Sequence, residues 1–103
     1  MEVVYHAHNA VISDRMKERA SRGLAKLSQR LDRAVDATVR FHQDGPTRRA
    51  EIRINAPGQR DLISEGMARY YGPALKIALA HLESQVGHVR RNPKGKWQRA
   101  VNT

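Results

Sequence analysis

The sequence contains no cysteine, which excludes disulfide bonds, thiolate metal sites and cysteine nucleophiles. It also lacks long apolar runs, whereas a transmembrane helix needs about 20 consecutive apolar residues. Residues 1–10, MEVVYHAHNA, have an acid at the second position and no apolar stretch of signal-peptide length. We therefore expect a cytoplasmic protein without a membrane partner.

Aromatic and acidic residues are both scarce. Phe, Tyr and Trp together make up 5% of the 103 residues, so the core of this single domain must be built from Val, Ile, Leu and Ala. Asp and Glu number 10 against 19 Lys and Arg, which leaves a formal net charge of +9. Such an excess of positive charge on a small domain indicates an anionic partner, and a nucleic acid is the expected one.

Hydrophobic periodicity predicts the element order strand, helix, three strands, helix. Strict alternation of apolar and polar residues marks the strands, and apolar residues three and four apart mark the helices. Ser13 is a good N-cap for the first helix, and Asn92-Pro93 is expected to end the second. The predicted strands are residues 2–8, 35–43, 49–56 and 61–66, and the predicted helices run from residue 14 to about 32 and from near Pro73 to 92.

These elements predict an α+β two-layer sandwich of the order β-α-β-β-β-α. A strand–helix–strand unit favours parallel pairing of its strands, and the short turns that follow favour an antiparallel meander. The outward positions of the second and third strands are polar, so two helices are expected on one face of a four-stranded sheet. We expect this domain to occupy residues 1–92 and residues 93–103 to form a flexible basic tail.

The most specific feature is a row of six basic residues along the first predicted helix. Their spacings of four and three place them in one narrow stripe at the flank of the apolar stripe, over more than about 25 Å. A solubilising surface would mix both signs of charge, and only Glu18 lies near this row. The row therefore suits a phosphate backbone, and arginine suits bidentate phosphate contacts. Its members are Arg15, Arg19, Arg22, Lys26, Arg30 and Arg33.

Further cations follow on the second helix and in the tail. Basic residues near the C-terminal end of a helix also complement its dipole. With the tail they are expected to extend the basic surface, and Trp97 among them is free to stack on a base or to fold back on the domain. The predicted members are Lys76, Arg90, Arg91, Lys94 and Lys96.

No arrangement of acid, base and nucleophile emerges from the spacing, so we expect neither an enzyme nor a cofactor or small-molecule substrate. His6 and His8 share a strand face, but no third ligand at metal-site spacing accompanies them, and no metal is expected. The predicted strands supply only Tyr5 and Phe41 as aromatic residues, and Phe41 has the inward phase, so the sheet is a poor surface for stacking bases and the helices are the better candidate surface. Tyr5, Tyr70 and Tyr71 are expected to pack with their hydroxyls at the rim.

Several short segments, in this order, resemble a known family. They are Ser13-Asp14, the run Leu24-Ala25-Lys26-Leu27 with Leu31-Asp32-Arg33 after it, and the second-helix stretch 74–83. Over residues 2 to about 91 the chain resembles the ribosome hibernation-promoting factors, also called ribosome-associated inhibitor or sigma-54 modulation proteins. The resemblance is to the short form, which lacks a C-terminal dimerisation domain.

The resemblance implies a fold similar to double-stranded-RNA-binding domains and a specific way of working. Members bind the small ribosomal subunit between head and body, block the mRNA path and the tRNA sites, and stop translation in stationary or starved cells. Basic residues of both helices touch ribosomal RNA, which by position implies this role for Lys26, Arg33, Arg90 and Arg91. A second hibernation factor is a further candidate partner.

The chain departs from the family pattern at two places. Gly23 stands where the family usually has a lysine, and the acids that usually open the second helix are replaced around Met67, Arg69, Tyr70 and Lys76. Two other functions therefore stay open at this point. The chain could be a generic double-stranded-RNA-binding domain, or a protein-interaction module whose basic face docks an acidic partner.

Overall fold

The computed structural model describes residues 2–31, 36–55 and 60–91, with side chains through residue 87. Two helices and four strands follow one another in the predicted order. They are β1 (Glu2–His8), α1 (Asp14–Ser28), β2 (Asp36–Asp44), β3 (Thr47–Asn55), β4 (Leu62–Ala68) and α2 (Tyr71–Arg91). Across the described ranges, neither helix is long and apolar enough to cross a membrane.

The four strands form one sheet in the order β1-β2-β3-β4. β1 pairs parallel with β2, and the other two pairs are antiparallel, which confirms the predicted topology. The β2–β3 hairpin is tighter than predicted, because the strands pair as far as Asp44 opposite Thr47. Gly45 makes this short turn possible, since its φ of 62° lies in the left-handed region that glycine adopts without strain.

The core lies between one face of the sheet and the two helices, as the alternation in β2 and β3 predicts. The sheet and the helices both contribute aliphatic side chains to this core, and Phe41 is the one buried aromatic residue among the described residues. Burying these side chains is the main favourable contribution to folding. The fully buried sheet residues are Ala37, Val39, Phe41, Ala50, Ile52, Ile54 and Leu62, and the helices add Ala20, Leu24, Ala74, Leu75, Ala78, Leu82 and Val86.

Helix α1 is shorter than predicted, because it ends at Ser28 and not near residue 32. The chain then continues through i→i+3 bonds, from the Arg30 amide to the Leu27 carbonyl at 3.0 Å and from the Leu31 amide to the Ser28 carbonyl at 3.1 Å. This tighter turn still brings Leu31 against the core. The apolar stripe therefore extends beyond the regular helix, which explains the overestimate.

Helix α2 begins at Tyr71, two residues before the predicted start, with Gly72 and Pro73 in its first turn. Proline is tolerated there because its missing N–H is one that the helix would leave unpaired. Burial raises the pKa of the Tyr71 hydroxyl, and the positive charge of Arg48 opposes that shift. The Tyr71 ring packs edge-on against Phe41, with 5.5 Å between the ring centroids.

The three tyrosines differ in how they pack. Tyr5 joins β1 to α1, because its hydroxyl donates to the Lys17 carbonyl at 2.8 Å and also contacts Ser21. Tyr5 and Tyr71 thus pack on the core as predicted. Tyr70 is 65% exposed, so the prediction that it packs is wrong. It precedes the first helical residue and points away from the core that its neighbour Tyr71 joins.

The outer edge of β4 is covered by side chains of α2. Nε2 of Gln85 donates to the Ile63 carbonyl at 2.7 Å, and Nδ1 of His81 donates to the Glu65 carbonyl at 3.0 Å. An edge strand with free carbonyls is a template for pairing with another chain. These two contacts therefore protect the edge and fix α2 along β4.

The N-cap of α1 offers a direct test of what holds the helix in place. Ser13 Oγ accepts from the Met16 amide at 3.1 Å, and replacing an N-cap serine by alanine typically costs about 1 kcal/mol. We expect Ser13→Ala to lower the free energy of unfolding by about that amount in urea denaturation. Ser84→Ala, at an exposed position inside α2, should leave it unchanged or slightly raised. Equal stabilities for the two variants would contradict the capping role.

Candidate nucleic-acid interface

Helix α1 turns four basic side chains toward solvent. Its opposite side holds Ala20, Leu24 and Leu27 in the core, and this fixes the rotation of the helix. At about 1.5 Å per residue, the four cations span about 16 Å. We call them the α1 row: Arg15, Arg19, Arg22 and Lys26, all exposed.

The α1 row is shorter than the six residues expected from the spacing. Arg30 lies in the turn after Ser28, where it is half-buried, so it does not continue the helical stripe. Arg33 lies outside the described residues. The prediction that the first helix carries all six residues is therefore wrong for Arg30, which lies beyond the end of α1, while its part in RNA binding stays a prediction, as does that of Arg33.

One acid partly offsets the charge of the α1 row. The Glu18 carboxylate and the Arg22 guanidinium are 2.6 Å apart, with both side chains about two-thirds exposed. An exposed pair at this spacing contributes only about 0.3–0.5 kcal/mol, so a phosphate can replace Glu18 at little cost. Arg15, Glu18, Arg19 and Arg22 line an open concavity of ≈590 Å³.

The α1 row meets the first turn of α2. A Cβ atom placed on Gly72 would lie 3.2 Å from Nη1 of Arg19, which locates that guanidinium against the start of α2. The first turn of α2 contains no acid. The first amides of a helix lack intrahelical partners and carry partial positive charge. An anion at Arg19 therefore also experiences the positive end of α2.

Gly23 allows the two helices to approach closely. A Cβ atom there would lie 2.8 Å from Cδ1 of Leu79 on α2. The lysine that the family usually has at this position would have to displace Leu79. With glycine at this position, α1 has one cation fewer, and the two helices pack more closely.

Lys76 extends the α1 row onto α2. It is exposed and follows Gly72 by four residues and precedes Leu79 by three, so it shares their side of the helix. That side faces α1, as the contacts of Gly72 and Leu79 show. Arg90 and Arg91, which were also predicted to bind RNA, are the last two residues of α2, and only their backbone is described. Lys94 and Lys96 lie outside the described residues.

Two residues near the start of α2, Arg48 and Tyr70, were not among the RNA-binding residues predicted from the sequence. Arg48 on β3 lies with its guanidinium carbon 5.6 Å from the Tyr71 ring centroid and donates to the Arg69 carbonyl at 2.6 Å. Tyr70, the chain neighbour of Tyr71, is exposed. No local pattern predicts this grouping, because β3 and α2 meet only in the folded sheet.

The described residues contain no group of three or more His, Asp or Glu side chains able to hold a metal ion. What the geometry defines is a two-layer α+β domain with a cationic flank on its helical side. Residues 3–93 match the family profile described as sigma 54 modulation protein / S30EA ribosomal protein. The chain belongs to this family, which confirms the expected resemblance and the broader expectation of a ribosome-associated protein.

Two solved structures are similar to this fold. The N-terminal domain of Thermus thermophilus Protein Y matches with a TM-score of 0.74 and 28% identity, over 84% of this chain and 96% of that one. A ribosomal subunit interface protein from Coxiella burnetii matches with a TM-score of 0.80 over 88% of this chain and 99% of that one. At 14% identity the second likeness concerns the fold alone. No curated protein matches the sequence.

Proposed function

We propose that this chain is a non-catalytic cytoplasmic protein that docks on the RNA of the small ribosomal subunit and holds ribosomes in hibernation. The observation that carries the proposal is the exposed α1 row, with Arg19 set against an acid-free start of α2. Family membership supports the ribosome as the partner. The Coxiella burnetii protein of similar fold, a ribosomal subunit interface protein, is consistent with that partner.

Docking rests on the α1 row, Lys76 and the start of α2. Arginine guanidinium groups bond phosphates in a bidentate manner, and first-turn amides of a helix favour an anion nearby. Arg19 and the first turn of α2 are close enough to share one phosphate. Arg90, Arg91 and the tail with Lys94 and Lys96 would extend this surface.

Inhibition is steric in this proposal. A protein that occupies the mRNA path and the tRNA sites prevents initiation without chemistry, so its potency follows from its affinity and residence on the subunit. We expect the purified chain to inhibit protein synthesis in a cell-free system, and excess small subunits to relieve that inhibition. A second hibernation factor would act on ribosomes already occupied in this way.

The test is co-sedimentation with purified small subunits through a sucrose cushion at two salt concentrations. Near-stoichiometric pelleting is expected at about 50 mM salt. If about six phosphates are neutralised, the association constant falls about 10³-fold at 200 mM. A salt-insensitive complex would contradict electrostatic docking on RNA.

Two competitors distinguish the proposed function from the others that the sequence leaves open. Ribosomal binding should survive an excess of unrelated duplex RNA, whereas a generic double-stranded-RNA-binding domain would be displaced. Binding should be lost when the subunits are treated with ribonuclease. A complex that survives ribonuclease would indicate a protein partner.

A further inference from the structure

The face of the sheet away from the helices carries its own cluster of ring and charged side chains. The register aligns His8, His42 and Arg49 directly across β1, β2 and β3. Two residues along, it aligns His6, Arg40 and Glu51 in the same way. We call these six residues the sheet cluster. It lies on the opposite side of the sheet from the core and the helices that cover it.

His8 and His42 form a flat platform within the sheet cluster. Their rings are parallel to within 3°, with 5.0 Å between the centroids. His8 is exposed on the edge strand β1, so its ring can take a further flat partner. Imidazole rings stack on unpaired RNA bases as other aromatic side chains do. Phe41 and Tyr5, the aromatic residues of the predicted strands, both pack on the opposite face.

The sheet cluster also lines a pocket that contains guanidinium groups. The pocket has a volume of ≈460 Å³ and is bounded by the six side chains together with Ala7 and Phe41. Nε of Arg49 is buried without a hydrogen-bond partner among the described residues. The Arg49 side chain is 40% exposed and forms a loose ion pair with Glu65, whose nearest carboxylate oxygen is 3.9 Å from Nε, so a phosphate would have to compete with that carboxylate.

We propose that this pocket binds one nucleotide of a single-stranded RNA, with the base stacked on His8 and the phosphate bonded by Arg49 and Arg40. Three observations favour this occupant. The pocket falls in the size range of small-molecule sites and is larger than a lone phosphate needs. The stacked imidazoles provide a flat surface for a base. The adjacent guanidinium groups match the charge of a phosphodiester.

The balance of charge around the pocket makes binding depend on pH. The ionisable groups on this face are Glu2, His6 and His8 on β1, Asp36, Arg40, His42 and Asp44 on β2, Arg49, Glu51 and Arg53 on β3, and Glu65 on β4. The five acids outnumber the three arginines, so this face becomes more attractive to a phosphate only as its imidazoles gain protons. Histidine is the side chain that ordinarily changes charge between about pH 5 and pH 8. RNA binding here should therefore strengthen as the solution is made more acidic.

The site is independent of the proposed function, because it lies on the opposite face from the α1 row. We would test it in the full chain carrying Arg19→Glu, Arg22→Glu and Lys26→Glu, which removes RNA binding by α1. The probe is a short single-stranded oligoadenylate, followed by NMR through the imidazole signals at about pH 6 and pH 8. The signals of His8 and His42 should shift on titration, and those of His81 on α2 should not.

Variants in the same background complete the test. The double variant His8→Ala, His42→Ala should bind the oligonucleotide at least about fivefold more weakly, since a stacked base contributes that much or more. Arg49→Gln, which keeps the stack, should also weaken binding, whereas His81→Gln should not. Equal affinities for all these variants, or an affinity that does not change with pH, would overturn the proposal. So would the same shifts from inorganic phosphate at matched phosphate concentration, which would show an adventitious ion only.

Discussion

Reversing three charges of the α1 row, by Arg19→Glu, Arg22→Glu and Lys26→Glu together, is expected to abolish co-sedimentation with the small subunit. All three side chains are exposed, so the fold should be retained. The variant loses three phosphate contacts, places three carboxylates against the RNA backbone, and replaces the cation beside the first turn of α2. We expect the association constant to fall at least about 100-fold, and any residual binding to depend less steeply on salt.

A matched control separates the α1 row from net charge. Lys17→Glu, Arg53→Glu and Arg60→Glu together change the formal charge by the same amount. Lys17 lies on α1 but on the side toward Tyr5, with its Nζ 6.0 Å from that ring's centroid. Arg53 is on β3, with Nη1 3.3 Å from a carboxylate oxygen of Asp61. This control should pellet with ribosomes nearly as the parent does, and an equal loss in both variants would contradict the assignment of the surface.

The helical layer could be predicted to the extent that local patterns determine it. Ala20, Leu24 and Leu27 recur at helical spacing and set the buried side of α1, which in turn exposes Arg15, Arg19, Arg22 and Lys26. The end of the helix could not be predicted in this way. Leu31 continues the apolar stripe, and only the hydrogen bonding shows that it does so from a tight turn. Arg30 was accordingly misplaced.

The sheet shows the same division between local and long-range information. The alternation in β2 and β3 predicts which residues face the core, because one face of the sheet is buried. It does not predict that His8 lies opposite His42, since that pairing depends on the register between strands separated by α1. The contact between Arg19 and Gly72 is of the same kind, joining residues of two helices that no sequence spacing relates. For both candidate binding surfaces, the sequence therefore predicts which side chains are exposed on an element but not which side chains of other elements lie beside them.

The position of α2, and with it one half of the proposed RNA surface, depends on Gly66 of β4. A Cβ atom at Gly66 would lie 2.1 Å from the Ala74 carbonyl oxygen and 2.6 Å from the Ala78 amide nitrogen. Both are backbone atoms of α2, so no side-chain rotation relieves the clash. Gly66→Ala must push the helix away from the sheet and disturb the packing of Leu82, which is fully buried.

We expect Gly66→Ala to lower the free energy of unfolding by about 3 kcal/mol or more, the upper range for overpacking a core. In a domain of this size that corresponds to a fall in Tm of at least about 12 °C, measurable by circular dichroism. Gly23→Ala is the matched control. Its Cβ would meet only the side chain of Leu79, whose closest atoms, the two Cδ atoms, can rotate, and the gain in helix propensity of about 1 kcal/mol offsets the contact. If both variants changed stability by the same small amount, α2 would not be held by its approach to Gly66. If only Gly66→Ala is destabilising, the glycine of β4 determines where the first turn of α2 meets Arg19.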